Sequence, residues 1–173
     1  PVGTLSVFEF RTPIPYPFGA ERGGWLVTDL DTGIAHARQA GAAVIVAPFA
    51  DPIGRDAVIQ FPGGVNTQLY WHTSAPSYPP LTDVPDNRVY LSPDSVDAFV
   101  RSYREFTGAS VVADTVSADG SLIGKSGSTF RRVDLTSRFG NTTVLVTDGH
   151  LPYPYGRELA GYAVDNVDAT LAK

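Results

Sequence analysis

A few polar side chains at strand-like positions are the residues of this chain best suited to chemistry. His72 ends the run NTQLYWH, in which Gln68 and Tyr70 lie on the same face because strand side chains alternate. Glu9 lies between two phenylalanines in SVFEF. A carboxyl group in an apolar pocket has a raised pKa, and an imidazole titrates near neutrality. We therefore predict Glu9 and His72 as acid–base groups, with a surface histidine and an aggregation-deterring edge charge as the alternatives.

A second set of residues is suited to binding. Trp25 and Tyr162 occupy matching places in a repeated segment, and His150 precedes the second copy of its proline-rich phrase. Aromatic side chains cover flat or apolar ligands well, but they are equally typical of an ordinary core. Both interpretations stay open for the aromatic residues. The predicted substrate-binding set is Gln68, Tyr70, Trp25, Tyr162 and His150.

The repeated segment is the most unusual feature of the sequence. The phrase IPYPFGAERGG begins at Ile14, and LPYPYGRELAG begins at Leu151, so the two copies are 137 positions apart (151 − 14). Each proline fixes its own φ and keeps the preceding residue extended. The phrase therefore predicts a stiff corner between strands, and we interpret it as the corner that joins paired units.

Around these corners the hydrophobic pattern predicts two β-α-β-β-β units. In the first unit, Asp31 is the expected N-cap of a helix from about Thr32 to Ala40, and Gly41 ends it. Residues 1–72 are then the end of one unit and a complete unit, 73–86 a proline-rich linker, and 87–173 a complete unit and the start of another. A natural protein of four units, longer than this chain, is the expectation that follows.

The run GRDAVIQFPGGVNTQLY, preceded by a helix that contains D-L-D and ends in AGA, resembles the vicinal oxygen chelate superfamily. Those are the glyoxalase, bleomycin-resistance and extradiol-dioxygenase-like proteins. The resemblance is strongest over residues 23–72, whereas 87–147 match in layout only. It implies an α+β fold of repeated β-α-β-β-β units, whose cupped mixed sheets enclose a ligand cavity.

The resemblance also implies a metal site, with ligands from the first and last strand of each unit. The matching first-strand positions hold Arg22, Arg88 and Leu159, and the matching last-strand positions hold Val7, Gln68 and Val144. Of these residues only Gln68 could coordinate a metal, and one neutral ligand is too few. We therefore expect no metal and no other cofactor. A metal-dependent lyase or dioxygenase is the alternative if the match is displaced by one residue.

Composition excludes several classes of function. The net charge is −5 with no basic run, which argues against nucleic acid and anionic membrane surfaces as partners. No apolar run approaches 18 residues, and no signal-peptide pattern begins the chain, so a cytoplasmic protein is expected. The absence of cysteine excludes disulfides and thiolate nucleophiles.

These observations lead to one expected function and one main alternative. The expectation is a glyoxalase/bleomycin-resistance-like protein that acts on a small organic molecule in an aromatic-lined cavity without metal. The alternative is a non-catalytic protein that sequesters a ligand or an antibiotic, and the sequence does not decide between them. The expected partner is a small-molecule ligand, and a homodimer is left open.

Overall fold

The computed structural model of the chain describes residues 11, 24–50, 52, 54–72, 87–152 and 165–172. The predicted end strand at 4–10, the linker at 73–86 and most of both proline-rich phrases lie outside these residues. The first unit consists of β1 (Gly24–Leu26), α1 (Leu30–Gln39), β2 (Ala43–Ala50), β3 (Gly54–Phe61) and β4 (Val65–His72). The second unit consists of β5 (Asn87–Leu91), α2 (Val96–Thr107), β6 (Ser110–Asp119), a 3-10 turn (Gly120–Ile123), β7 (Thr129–Ser137) and β8 (Gly140–Val146), and α3 (Val167–Leu171) follows it.

Both units form the same kind of mixed sheet. The strand orders are β1-β4-β3-β2 and β5-β8-β7-β6. The first strand of each sheet pairs in parallel with the last, and the other pairs are antiparallel. The helix supplies the crossover that a parallel pair needs. The predicted α+β fold of β-α-β-β-β units is therefore confirmed.

Helix α1 begins two residues earlier than the sequence predicted. Asp29 is extended (φ −152°, ψ 121°), and its Oδ1 accepts the backbone N–H of Thr32 at 2.6 Å. That hydrogen bond makes Asp29 the N-cap and holds the pKa of its carboxyl below the usual value. Asp31, the predicted cap, instead accepts hydrogen bonds from the two terminal nitrogens of Arg55 on β3. Gly41 ends the helix at φ 86°, as expected.

The spacing of the repeat recurs in the helix caps. Asn166 Oδ1 accepts the backbone N–H of Ala169 at 2.8 Å, as Asp29 accepts that of Thr32. The two caps are 137 positions apart (166 − 29), which is the offset of the proline-rich phrases. The repeated segment thus includes the start of a helix, whereas the corner predicted for the proline-rich phrases lies outside the described residues.

One hydrophobic core serves both units. Each sheet contributes one set of alternate side chains to it, and we call that side the core face and the opposite side the outer face. The first sheet contributes Ala57, Ile59, Phe61 and Leu69, and the second contributes Leu91, Val133, Leu135, Val144 and Val146. Helices α1 and α2 add their buried stripes, among them Leu30, Ile34, Phe99 and Phe106.

Aromatic rings join the units within this core. Trp25 of the first unit stacks on Phe139 of the second with ring centroids 4.8 Å apart. Phe61 contacts four rings with centroids 5.6–6.0 Å away, those of Trp25, Phe99, Tyr103 and Phe106. Burial raises the pKa of Tyr103, whose hydroxyl pairs with Thr142 on β8 at 2.9 Å. The aromatic residues therefore fix how the units pack.

Candidate functional site

The outer face of the first sheet carries several polar side chains around the fully buried Val58, in contrast to its apolar core face. In β3 the residues Ala57, Ile59 and Phe61 belong to the core, so Asp56, Val58 and Gln60 alternate with them on the outer face. In the register with β4, these three residues lie opposite Tyr70, Gln68 and Asn66. The central strands thus place carboxylate, amide and phenol groups on one surface.

Two hydrogen bonds organise this surface. Gln68 Nε2 donates to Asp56 Oδ2 at 2.9 Å, and Gln60 Nε2 donates to Asn66 Oδ1 at 2.8 Å. Asp56 is only 5% exposed, although it is a carboxylate in the middle of a sheet. Burial of such a group is costly unless hydrogen bonds offset the loss of water, and the amide of Gln68 supplies one of them.

The ring of Tyr70 lies across β1 at Gly24. Gly24 pairs with Gln68, and a Cβ atom added to Gly24 would overlap Tyr70 Cε2 and lie 2.7 Å from both Cζ and the hydroxyl oxygen. The missing side chain of Gly24 is therefore what allows the ring to lie flat against the strand. Gly24 acts as a positioning residue for Tyr70.

Replacing Gly24 with alanine should displace the ring of Tyr70 and lower the free energy of unfolding by about 1–3 kcal/mol, the usual cost of overpacking. Chemical denaturation gives the stability, and the NMR signal of the Gln68 side-chain amide reports the movement. The matched control is Gly33→Ala in α1, where the new Cβ would contact Val27 at an ordinary 3.6 Å. That control should be neutral or stabilising because alanine is the better helix former. Equal effects of the two variants would contradict this account.

The structure separates the residues that the sequence predicted for binding. Gln68 and Tyr70 lie together on the outer face, whereas Trp25 pairs with Leu69 and packs on the core face. His72 is the last residue of β4 and pairs with Gly54. Trp25 therefore packs against the hydrophobic core, which is one of the two interpretations of the aromatic residues. Tyr70 lies outside that core.

Of the remaining predicted site residues, His150 is the one that the described structure includes. His150 is 90% exposed at its side chain, and its Nδ1 is 3.8 Å from Asp148 Oδ2. The backbone N–H of His150 and the ammonium of Lys125 hold the pKa of Asp148 below its usual value. Glu9 and Tyr162 lie outside the described residues, so their predicted roles stay predictions.

The metal positions implied by the sequence resemblance need one correction. Gly24 and Gln68 are register partners in the first sheet, and Arg88 and Thr143 are partners in the second. The equivalent of Gln68 is therefore Thr143. Val144, which the sequence comparison placed there, is fully buried on the core face.

The donor groups of the described residues do not fit a metal. Within the described ranges, no three His, Asp or Glu side chains come close enough together to hold an ion. Gln68 uses its amide nitrogen on Asp56, and its equivalent Thr143 uses its hydroxyl on Asp134. Arg22, Leu159 and Val7 lie outside the described residues. The described side chains thus form a hydrogen-bonded surface, and we derive no reaction step from a metal.

Asp56 is the residue that sequence reasoning missed. Its signal in GRDAVIQF is weak, because Ala57, Val58 and Ile59 are all apolar and only the four-residue spacing of Asp56 and Gln60 fits one polar face. The pattern places Asp56 on the face of Gln68, but only the strand register shows that the two groups touch. Asp56 is therefore added to the candidate site.

A separate groove of about 570 Å³ runs along the solvent side of α2. It is bordered by Asp97, Val100, Arg101, Arg104, Glu105, Gly108 and Ala109. None of the predicted site residues borders it.

No helix in the described part of the chain combines the length and apolar character needed to span a membrane.

Comparison with known proteins supports the fold and leaves the activity open. No protein-family model matches the chain, and no curated protein matches it. A variant of 4-hydroxymandelate synthase from Streptomyces coelicolor matches in structure with a TM-score of 0.52 and 14% identity, covering 76% of this chain and 41% of that one. A glyoxylase/bleomycin resistance protein/dioxygenase domain from Frankia sp. EAN1pec matches with a TM-score of 0.46 and 14% identity, covering 75% and 92%. The fosfomycin resistance protein FosX from Mesorhizobium loti matches with a TM-score of 0.40 and 9% identity, covering 88% and 96%.

The strand order of both sheets is consistent with the glyoxalase/bleomycin resistance type of fold. The resemblance predicted from the sequence is confirmed at the level of the fold. At such low identities the similarity extends to the fold alone, and function must be argued from the site.

Proposed function

We propose that the protein binds a small organic molecule on the outer face of its first sheet and acts on it without metal. The observation that carries the proposal is the Asp56–Gln68 pair, a nearly buried carboxylate hydrogen-bonded to an amide. Titratable groups in such surroundings are typical of functional sites. The glyoxalase/bleomycin-resistance-like fold also supports the proposal. This support is weaker, because one fold can host several different activities.

The roles follow from the chemistry of the side chains. Asp56 is the proposed proton acceptor, since a positioned carboxylate can act as a general base toward a bound ligand. Gln68 orients it and keeps its amide oxygen available for a ligand donor. The ring of Tyr70 offers an apolar surface, and its hydroxyl lies at Gly24 on β1.

The first part of the test asks whether this surface binds and converts a ligand. A library of small carbonyl and phenol compounds is screened by ligand-observed NMR, and each binder is then incubated with the protein to detect conversion. Turnover of a bound compound supports an enzyme. Binding without turnover supports the sequestering protein, the alternative that keeps the same surface. Failure to bind any compound would overturn both.

The second part asks whether Asp56 carries the chemistry. Asp56→Asn keeps the shape and removes the proton acceptor, so turnover should fall by about 10²–10⁴-fold while ligand affinity changes little. The matched control is Asp114→Asn, which changes a carboxylate on β6 of the other sheet that binds Arg131. The control should retain turnover. If Asp56→Asn also retained it, Asp56 would have no catalytic role.

A further inference from the structure

The outer face of the second sheet carries a different set of polar groups. In the strand register, Arg132 on β7 lies opposite Leu145 on β8 and Thr115 on β6. Two residues along β7, on the same face, Asp134 lies opposite Thr143. Leu145 is buried, whereas the side chains of Arg132 and Asp134 keep 37% and 27% of their surface exposed. Arg132 therefore lies beside a buried apolar side chain and keeps part of its own side chain exposed to solvent.

The guanidinium is fixed at one end. Arg132 Nε donates to Asp134 Oδ1 at 2.9 Å, and the same oxygen accepts the hydroxyl of Thr143 at 3.0 Å. No protein atom accepts a hydrogen bond from Arg132 Nη1 or Nη2 in the described structure. A planar guanidinium held through Nε presents its two terminal amines side by side, which matches the two oxygens of a carboxylate.

Arg131 and Arg55 are arranged differently from Arg132. Arg131 uses Nε and Nη2 on Asp114 and Nη1 on Asp97, which lowers the pKa of Asp114 and ties α2 to β6. Arg55 uses both terminal amines on Asp31. Their guanidinium groups are engaged by carboxylates of the chain itself. Arg132, in contrast, is oriented by the chain and has its terminal amines available.

The two outer faces also differ in charge at equivalent positions. Ala57 and Ile59 on the core face correspond to Val133 and Leu135, so Asp56, which precedes Ala57, corresponds to Arg132. A carboxylate stands on one sheet where a guanidinium stands on the other. At this position the second outer face presents a cation, whose Nε is bound by Asp134, whereas the first presents an anion.

We propose that Arg132 forms a binding site for the carboxylate of a small organic acid on the outer face of the second sheet. Nη1 and Nη2 of Arg132 bind the two carboxylate oxygens, Asp134 and Thr143 hold the guanidinium in place, and Thr115 borders the site. This site is separate from the Asp56 surface, and it stands or falls independently of the proposed activity.

The test is a titration with benzoate, followed by the Nε–H signals of arginine side chains in ¹⁵N-labelled protein. The Arg132 signal and the backbone amides of Asp134 and Thr143 should shift and saturate. Arg132→Gln should weaken benzoate binding about ten-fold or more, since a charge-assisted bidentate pair is lost. Thermal melting confirms that the variant is folded.

The matched control is Arg138→Gln, which removes the same charge elsewhere. Arg138 is exposed, and its guanidinium lies 4.6 Å from the ring centre of Phe139. The control should bind benzoate as the wild type does. Equal weakening in both variants would mean that benzoate responds only to overall charge, and the proposal would fail. Absence of a saturable shift of the Arg132 signal in the wild type would also overturn it.

Discussion

Phe61→Ala will lower the free energy of unfolding by about 3–5 kcal/mol, the range for removing a large aromatic side chain from a core. Phe61 is 1% exposed and lies where both units meet. Its loss leaves a cavity bordered by rings from β1 and α2, which strand pairing prevents from closing. For a domain of ordinary stability this loss is a large part of the whole free energy of unfolding.

Urea denaturation followed by tryptophan fluorescence measures the effect, because Trp25 contacts Phe61 directly. Phe61→Leu is the control, and it should cost less than about 1.5 kcal/mol because most of the volume is kept. Both variants should unfold in one transition, since a single core joins the units. A loss below about 1 kcal/mol for the alanine variant would show that the core does not depend on this ring.

The second large effect is expected at the turn between β3 and β4. Gly63 has φ 86°, and an added Cβ would lie 2.5 Å from Leu91 Cδ2 and 3.3 Å from Ser95 Cβ. Leu91 is 3% exposed at the end of β5, so it has little room to move. Gly63→Ala therefore combines backbone strain of about 1–2 kcal/mol with overpacking of about 1–3 kcal/mol.

The neighbouring glycine separates these two causes. Gly64 has φ 81°, and an added Cβ there would meet no atom within 4 Å. Gly64→Ala should therefore lower the free energy of unfolding only by the backbone strain. The difference in unfolding free energy between the two variants then measures the contact between the turn and the second unit. Thermal and urea unfolding of both proteins gives that difference. Equal losses would mean that this turn does not help to hold the units together.

Much of the fold could be predicted because local patterns determine it. The period-two alternation of NTQLYWH predicted the strand observed as β4, and the hydrophobic pattern predicted the β-α-β-β-β order of both units. The helix cap was assigned to the wrong aspartate because Asp29 and Asp31 are both good capping residues. Their roles depend on the backbone angles at the entry to α1, which the sequence does not show.

The site was predictable only where one strand was enough. Gln68 and Tyr70 were placed on one face because they alternate on β4, and the register agrees with that shared face, while their role in binding stays a prediction. Trp25 had two interpretations because the buried side of β1 depends on its pairing with β4. Asp56 was missed because its burial and its bond to Gln68 come from a neighbouring strand. Residues that interact across two strands can be recognised only when the pairing of those strands is known.

The most direct test of the account is to map, by chemical shift changes, where a small molecule selected from the binding screen contacts the ¹⁵N-labelled protein. We predict that the side-chain amides of Gln68 and Gln60 and the backbone amides around Asp56 and Tyr70 will move together and saturate with one affinity. Shifts confined to the groove on α2 or to the second sheet, with the Gln68 amide unchanged, would contradict the claim that the outer face of the first sheet is the functional surface.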